Sequence, residues 1–200
     1  MNNVAERKQL LMNRLFVILI INAMLSISSF SFHLQQPGRE RLDQIERSLQ
    51  TDVPRILCLS ESFATAGQPS EQAFSKLAAN GFRSVLNLRT TAEGVDLEKE
   101  RTLVEHAGMR YISIPVIGNA PRVEQADEFI RAAKEKTNHP MLIHCGSANR
   151  VGAFMMIYRV VELGWSEEKA EEEAVKIGLR SEALQTFAKE YIAQQKAKRR

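Results

Sequence analysis

Hydrophobic and polar positions repeat with two different periods after residue 53, which predicts strands and helices in alternation. Short apolar runs predict strands in RILCLS, RSVLNLR, RYISIPV and HPMLIHC. Amphipathic or apolar segments predict helices in SEQAFSKLAANG, DLEKERTLVEHAG, RVEQADEFIRAAKEK, VGAFMMIYRVVELG, SEEKAEEEAVKIG and SEALQTFAKEYIAQQ. Because the connections are short, this order predicts an α/β fold with a mainly parallel central sheet flanked by helices.

A separate apolar run lies near the N-terminus. Residues 15–32 are hydrophobic and end in small serines, and Arg7, Lys8 and Arg14 precede them. This order is typical of a secretory signal, while a run of about 18 residues is at the lower limit for a membrane-spanning helix. We therefore predict that residues 1–35 are either a cleaved signal peptide or an uncleaved membrane anchor, and a buried core helix is the less favoured alternative. Both favoured readings place the rest of the chain in an exported, extracytoplasmic location.

The remaining composition narrows the classes of function. Residues 36–52 predict a polar helical lead-in and residues 53–200 one compact domain. The net charge of +3 is small and the basic residues are scattered, so no nucleic-acid surface is predicted. Two cysteines lack the spacing of a zinc site, and no cofactor is predicted. If their strands are neighbours, Cys58 and Cys145 could form a disulfide; otherwise Cys58 fills the core.

The ends of the predicted strands gather residues with useful chemistry. In parallel α/β sheets, ligands bind beyond the carboxyl ends of the strands. This rule brings Arg89, Gly118, Asn119 and Cys145 to one edge of the sheet. The segment MLIHCGSANRVGAF, in which Cys145 ends a strand and Arg150 begins a helix, therefore lies at the predicted binding edge.

The loop between Cys145 and Arg150 has the properties of an anion site. Its residues are Gly146, Ser147, Ala148 and Asn149. Small residues allow backbone N–H groups to surround an anion, the helix N-terminus adds partial positive charge, and Arg150 offers a bidentate fork. The same positive field favours a thiolate at Cys145 that attacks phosphorus in line. The alternative is that Cys145 is a small buried core residue.

The segment IHCGSANRVGA resembles the signature loop of cysteine-based protein tyrosine and dual-specificity phosphatases. Four residues separate Cys145 from Arg150, one fewer than in those phosphatases and as many as in rhodanese-type sulfurtransferases. The segments TAGQPSEQAFSKLAANGFRSVLNLR and EHAGMRYISIPV extend the resemblance over about residues 56–160. There the chain resembles the beta-lactamase-hydrolase-like phosphatase domains and the phosphatase domain fused to NAD kinase in other proteins.

This resemblance implies a phosphatase-like fold that hydrolyses a phosphorylated protein or small molecule through a phosphocysteine intermediate. It implies Cys145 as the nucleophile, Arg150 as the phosphate clamp, and residues 146–149 as donors of loop amides. It also marks Gly67, Gln68 and Arg89 as positions near the site.

The roles of two of these positions stay open. Gln68 is expected either to orient a water or a substrate oxygen, or to cap a turn near Ser70. Arg89 is expected either to contact phosphate or to form an ion pair with Glu93 or Asp96.

Two departures from the family pattern bear on catalysis. Val151 stands where the phosphatases usually place a Ser or Thr, so Ser147 or His144 would have to stabilise the leaving thiolate; His144 alternatively fixes the loop by hydrogen bonding. The segment VIGNAPRVE lacks the usual Asp, which leaves Asp96 and Glu93 as general-acid candidates by position, or else as ordinary acids at a helix start.

Two other functions are compatible with these departures. One is sulfur transfer through a Cys145 persulfide, which the short loop would suit. The other is phospho-ligand binding without turnover.

Overall fold

The computed structural model describes residues 37–199. Contacts within the chain separate residues 1–40 from a compact unit of residues 41–200. The predicted signal peptide or anchor, residues 1–35, lies outside the described residues, and the boundaries at 36–52 and 53–200 stay predictions. Within the described part, no helix combines the length and the apolar character needed to cross a membrane.

Seven α-helices and five strands alternate along the described residues. The helices are α1 (Pro37–Leu49), α2 (Ala73–Ala79), α3 (Leu97–His106), α4 (Val123–Lys134), α5 (Asn149–Val161), α6 (Glu167–Ile177) and α7 (Glu182–Lys198). The strands are β1 (Leu57–Cys58), β2 (Phe63–Ala66), β3 (Ser84–Asn87), β4 (Arg110–Ser113) and β5 (Met141–His144). Short 3-10 turns occur at Thr91–Glu93 and Lys136–Asn138.

The strands form one sheet in the order β1-β2-β5-β3-β4. Strands β2, β5, β3 and β4 are parallel, and only the edge strand β1 is antiparallel to its neighbour, which confirms the predicted mainly parallel sheet. The strand predicted in RILCLS is reduced to Leu57–Cys58, and the sequence reading missed β2. All four residues of β2 are buried, so no polar alternation reveals this strand.

The two faces of the sheet carry separate hydrophobic clusters, and the two cysteines lie in different ones. Cys145 packs in the cluster that contains α4 and α5, whereas Cys58 packs in the cluster that contains α2. Strand β2 also separates β1 from β5, so the strands of the two cysteines are not neighbours. The alternative of a Cys58–Cys145 disulfide is therefore wrong, and Cys58 fills the core, which was the favoured alternative.

Helix α5 is the central helix of the unit and is buried along nearly its whole length. The glycine of the RVG sequence explains how closely its neighbours approach. A Cβ atom at Gly152 would lie 2.6 Å from the carbonyl oxygen of Ala174 and 2.9 Å from Cβ of Leu179. Since real Cβ contacts are longer, only glycine lets the end of α6 pack against the first turn of α5.

Candidate active site

The site is built on the carboxyl edge of the four parallel strands. In the register of the sheet, Ala66, His144, Asn87 and Ser113 pair across neighbouring strands as the last residues of β2, β5, β3 and β4. The loops that follow all leave the sheet at the same level. This register brings Cys145 to the same edge as the loops after β3 and β4, as the topology predicted.

The loop from Cys145 to Arg150 is held by backbone hydrogen bonds to the loop after β2. The amide of Cys145 donates to the carbonyl oxygen of Ala66, and the amide of Gln68 donates to the carbonyl oxygen of Gly146, both at 3.4 Å. Ala148 adopts φ of 63° and ψ of 3°, the left-handed conformation that turns the chain into α5. The loop thus closes at the N-terminus of a buried helix, the position in which the helix dipole favours an anion.

A segment near the C-terminus fastens the other side of this loop. The side-chain oxygen of Asn149 accepts hydrogen bonds from the amides of Arg180 at 3.0 Å and Ser181 at 3.3 Å. Nη2 of Arg180 donates to Oγ of Ser147 at 2.9 Å. The polar side chains of the loop therefore hold it in place, and the sequence reading missed the contribution of Arg180.

A cleft of about 530 Å³ opens above the loop. Cys145 lies at its base with a side chain that is 0% exposed by relative area. Gly118 and Asn119 line the cleft, as predicted, whereas Asp96 does not. The full lining is Thr90, Ala92, Glu93, Val116, Ile117, Gly118, Asn119, Cys145, Ser147, Asn149, Arg150, Ser181 and Leu184.

The guanidinium of Arg150 is held on one edge by backbone and carboxylate oxygens. Nη1 donates to the carbonyl oxygens of Leu88 at 3.1 Å and Val116 at 2.8 Å. Nη1 and Nη2 also donate to the two carboxylate oxygens of Glu93 at 2.6 and 2.7 Å. Burial opposes the charge, but Glu93 and then the Cys145 sulfur raise the pKa of Arg150 above its ordinary value.

Glu93 is an ion-pair partner in this structure and is poorly suited to be the predicted general acid. Its carboxylate also accepts from Nε of Arg89 at 3.1 Å and from the amide of Thr90 at 2.8 Å. Burial alone would raise the pKa of Glu93, but Arg150, Thr90 and Arg89 lower it to about 2. At neutral pH the group is therefore ionised and has no proton to give.

Asp96, the other candidate acid, caps the N-terminus of α3 and accepts a hydrogen bond from the amide of Lys99 at 2.9 Å. This is the alternative role that its position at a helix start allowed. The structure thus places Asp96 outside the cleft, and the prediction of Asp96 as a general acid has no geometric support.

Gln68 and Arg89 connect the cleft to a buried cluster beneath it. Nη1 of Arg89 donates to Oε1 of Gln68 at 2.8 Å, and Nε2 of Gln68 donates to Glu100 at 2.6 Å. The Gln68 side chain therefore joins two charged residues, and its Nε2 also donates to the carbonyl oxygen of Pro69 at 3.3 Å, in the turn next to Ser70. Arg89 forms the ion pair with Glu93 that was one of its two expected roles.

Glu100 is the acceptor at the centre of this buried cluster, and the sequence reading missed it. Its Oε1 accepts from Nδ2 of Asn87 at 2.5 Å, from the Tyr111 hydroxyl at 3.1 Å and from Nε2 of His144 at 3.2 Å. Burial would raise the pKa of Glu100, but His144, Gln68 and Tyr111 lower it to about 2. One signal could have found it, because Glu100 and Val104 are four residues apart and face inward together.

Comparison with known proteins decides the family. The family model for the PTP-NADK group, described as the DSP-PTPase phosphatase fused to NAD+ kinase, matches residues 43–200. The chain belongs to this family. The expected resemblance to cysteine-based phosphatases is thereby confirmed.

Two curated relatives match parts of this PTP-NADK-type chain. A beta-lactamase hydrolase-like protein from Xylella fastidiosa is 32% identical over 112 residues, which are 54% of this chain and 25% of the relative. The dual specificity protein phosphatase TpbA from Pseudomonas aeruginosa is 31% identical over 101 residues, which are 48% of this chain and 44% of that protein. The chain therefore matches about a quarter to less than half of the length of these relatives.

Solved structures share the fold. A DUF442 protein from Shewanella putrefaciens has a TM-score of 0.63 and 25% identity, with 74% of this chain and 97% of that chain covered. TpbA in complex with phosphotyrosine has a TM-score of 0.55 and 22% identity, with 69% and 82% covered. The PTP-NADK-type chain thus has the α/β fold of these proteins.

Proposed function

We propose that the chain is a phosphomonoester hydrolase that works through a phosphocysteine intermediate. The observation that carries the proposal is the position of Cys145 at the base of a cleft, at the N-terminus of α5 and beside the guanidinium of Arg150. A thiolate here is close to the two groups that best hold the oxygens of a phosphoryl group, namely a guanidinium fork and loop amides.

The proposed first step transfers the phosphoryl group to sulfur. The Cys145 thiolate attacks phosphorus, the bond from phosphorus to the ester oxygen breaks, and that oxygen leaves with the electron pair as an alkoxide or phenolate, which takes its proton from water. In the second step, water attacks the phosphocysteine, releases inorganic phosphate and regenerates the thiolate. Arg150 and the amides of residues 146–149 hold the equatorial oxygens in both steps.

The contacts of Arg150 are compatible with this role. A guanidinium has five N–H donors, and the contacts to Leu88, Val116 and Glu93 involve Nη1 and one side of Nη2. Within the described residues, this leaves the edge formed by Nε and Nη2 for a second pair of oxygens. Glu93 would then orient the fork while phosphate binds at the other edge.

The substrate class in this proposal is a phosphorylated protein or small molecule. The family supports a phosphate ester in general, and TpbA has been crystallised with phosphotyrosine. The first substrate to test is therefore an aryl phosphate.

The deciding experiment is hydrolysis of p-nitrophenyl phosphate by the full chain under reducing conditions, with Cys145→Ser and Cys58→Ser as a matched pair. We expect turnover in wild type and in Cys58→Ser, and none in Cys145→Ser. Absence of turnover in reduced wild type would refute the proposal. Thiosulfate turnover or tight vanadate binding would then identify sulfur transfer or phospho-ligand binding.

We also propose that residues 15–32 direct export or anchor the chain in a membrane, which the basic flank and the apolar run support. A reporter that is active only outside the cytosol, fused after residue 36, tests this proposal. We expect reporter activity with the native segment and none when Leu19 and Ile21 are replaced by Arg. Equal activity in both fusions would contradict export by this segment.

A further inference from the structure

The buried carboxylate of Glu100 has no part in the chemistry proposed so far. Glu100 is 7% exposed, and no other Asp or Glu of the described residues is buried. Burying an unpaired carboxylate is strongly unfavourable, so a buried carboxyl group is either neutral or well compensated by its surroundings. The surroundings of Glu100 must therefore account for its burial.

Four donors surround this carboxylate, and they come from four different parts of the fold. The donors are Gln68 after β2, Asn87 at the end of β3, Tyr111 in β4 and His144 at the end of β5. His144 and Tyr111 are the titratable groups among them, and Arg101 lies over the Tyr111 ring, 5.0 Å from its centroid. His144 is thus the donor whose tautomer this contact decides.

The contact with His144 leads directly to the proposed nucleophile. His144 is 0% exposed, it immediately precedes Cys145, and its Nε2 faces Glu100. Among the described residues, Nδ1 of His144 is the one buried polar side-chain atom that has no hydrogen-bond partner. A carboxylate at Nε2 fixes that nitrogen as the donor and orients the ring.

A second path leads from Glu100 to the phosphate clamp. Gln68 joins Glu100 to Arg89, and Arg89 contacts the same Glu93 carboxylate that holds Arg150. Each member of this path is anchored by a hydrogen bond to the next. One buried carboxylate is thereby connected by hydrogen bonds both to His144, beside Cys145, and to the ion pairs of Arg150.

We infer that Glu100 is a positioning residue of the site, which fixes the tautomer and orientation of His144 beside Cys145 and, through Gln68 and Arg89, supports the ion pairs of Arg150. The inference rests on Cys145 as the proposed nucleophile. Its consequence is that Glu100 controls the reactivity of the Cys145 sulfur, although its own side chain reaches no substrate.

The test measures the reactivity of Cys145 without requiring turnover. The full chain is treated with iodoacetamide from pH 5 to 9, and peptide mass spectrometry assigns the label to Cys145 or Cys58. We expect Glu100→Gln to slow labelling of Cys145 about tenfold across this pH range, because the hydrogen bond that orients His144 is weakened. Tyr111→Phe, which removes one neutral donor to the same oxygen, should label within about twofold of wild type.

A double-mutant cycle with His144→Asn separates positioning from general loss of structure. Glu100→Gln should cause no further slowing in the His144→Asn background. Labelling of Glu100→Gln at the wild-type rate at every pH would overturn the inference. Equal slowing by Glu100→Gln in both backgrounds would also overturn it.

If Glu100→Gln does not fold, nitrogen-15 NMR of wild type decides the matter. We expect the Nε2 signal of His144 to report a protonated, hydrogen-bonded nitrogen, and a ring protonated only at Nδ1 would overturn the inference. Failure of the proposed function is distinguishable, because a chain that labels as expected but hydrolyses no phosphate ester would refute the phosphatase and keep the role of Glu100.

Discussion

Glu93 and Glu100 are two carboxylates of one site, and each has a pKa lowered to about 2 for a different reason. The side chain of Glu93 is 28% exposed and is held by two guanidinium groups at the cleft, whereas Glu100 is buried among neutral donors and one imidazole. The comparison shows that a low pKa alone does not assign a role. The partners differ instead: Glu93 binds Arg150, the proposed phosphate clamp, and Glu100 binds His144, which precedes the proposed nucleophile Cys145.

The largest effect is expected from the loss of Arg150, which is the main ion-pair partner of Glu93. Arg150→Ala should lower kcat/KM for p-nitrophenyl phosphate roughly a hundredfold to a thousandfold, because the charge on the phosphoryl oxygens then lacks its fork. Arg131→Ala, an exposed substitution on α4, is the control and should leave kcat/KM unchanged. A loss under threefold in Arg150→Ala would show that the guanidinium serves only the ion pair with Glu93.

The second prediction concerns protonation of the leaving group. Glu93 is the carboxyl residue that lines the cleft within the described part of the chain, and it is ionised at neutral pH. The rate should therefore depend steeply on the leaving group, and p-nitrophenyl phosphate should react on the order of a hundredfold faster than phenyl phosphate. Equal rates for the two esters would show that a group near the cleft does donate a proton.

A smaller effect is expected from Glu93→Gln. The amide has one acceptor oxygen, so it cannot bind Arg150 in a bidentate manner and also accept from Arg89. We expect kcat/KM to fall about tenfold, with most of the change in KM, since the fork is still present but less well oriented. Asp96→Asn retains a helix cap and should keep wild-type kinetics; a similar loss in both variants would contradict a specific role for Glu93.

The smallest effect concerns stability in acid. Both carboxylates have folded pKa values below the ordinary 4.5, so each stabilises the fold above about pH 4.5 and loses this contribution as the pH falls toward 2. In urea unfolding, the contribution of Glu100 should make the free energy of unfolding on the order of 2 kcal/mol lower at pH 3 than at pH 6. Glu100→Gln should flatten this pH dependence more than Glu93→Gln, because Glu93 is partly exposed to solvent. The reverse order would contradict the comparison.

The sequence predicted the part of the site that is formed by residues close together in the chain. Cys145, Arg150 and the loop between them form one continuous segment, and strand ends in a parallel sheet converge by topology. Glu100 was missed because a glutamate in a polar helix is usually exposed. Its burial is favourable because four donors on other elements of the fold surround it, and the sequence of its own helix does not show them. Arg180 was missed for a similar reason, because its contact with Ser147 joins residues 33 apart.

In the fold, too, elements with a local sequence pattern were predicted and elements that depend on distant contacts were not. Helices α3, α4 and α5 were predictable, α3 from its end at Gly108, α4 from its apolar period, and α5 from its continuous apolar run before Gly164. Strand β2 was not, because four residues buried on both faces show no alternation, and its pairing with β5 depends on residues far away in the chain. The position of Glu93 at Arg150 likewise depends on a turn whose residues carry no apolar pattern.

The bonds from Arg180 and Ser181 to Asn149 have a consequence for the order in which the chain is made. During synthesis, Cys145 and Arg150 leave the ribosome before the two residues that fasten their loop have been added. Until then, Asn149 lacks the amides to which it binds in the folded chain, and α6 is not yet in place against Gly152. The loop from Cys145 to Arg150 is therefore completed late. A nascent chain that stops before residue 181 carries Cys145 and Arg150 but lacks a full set of the contacts that hold this loop.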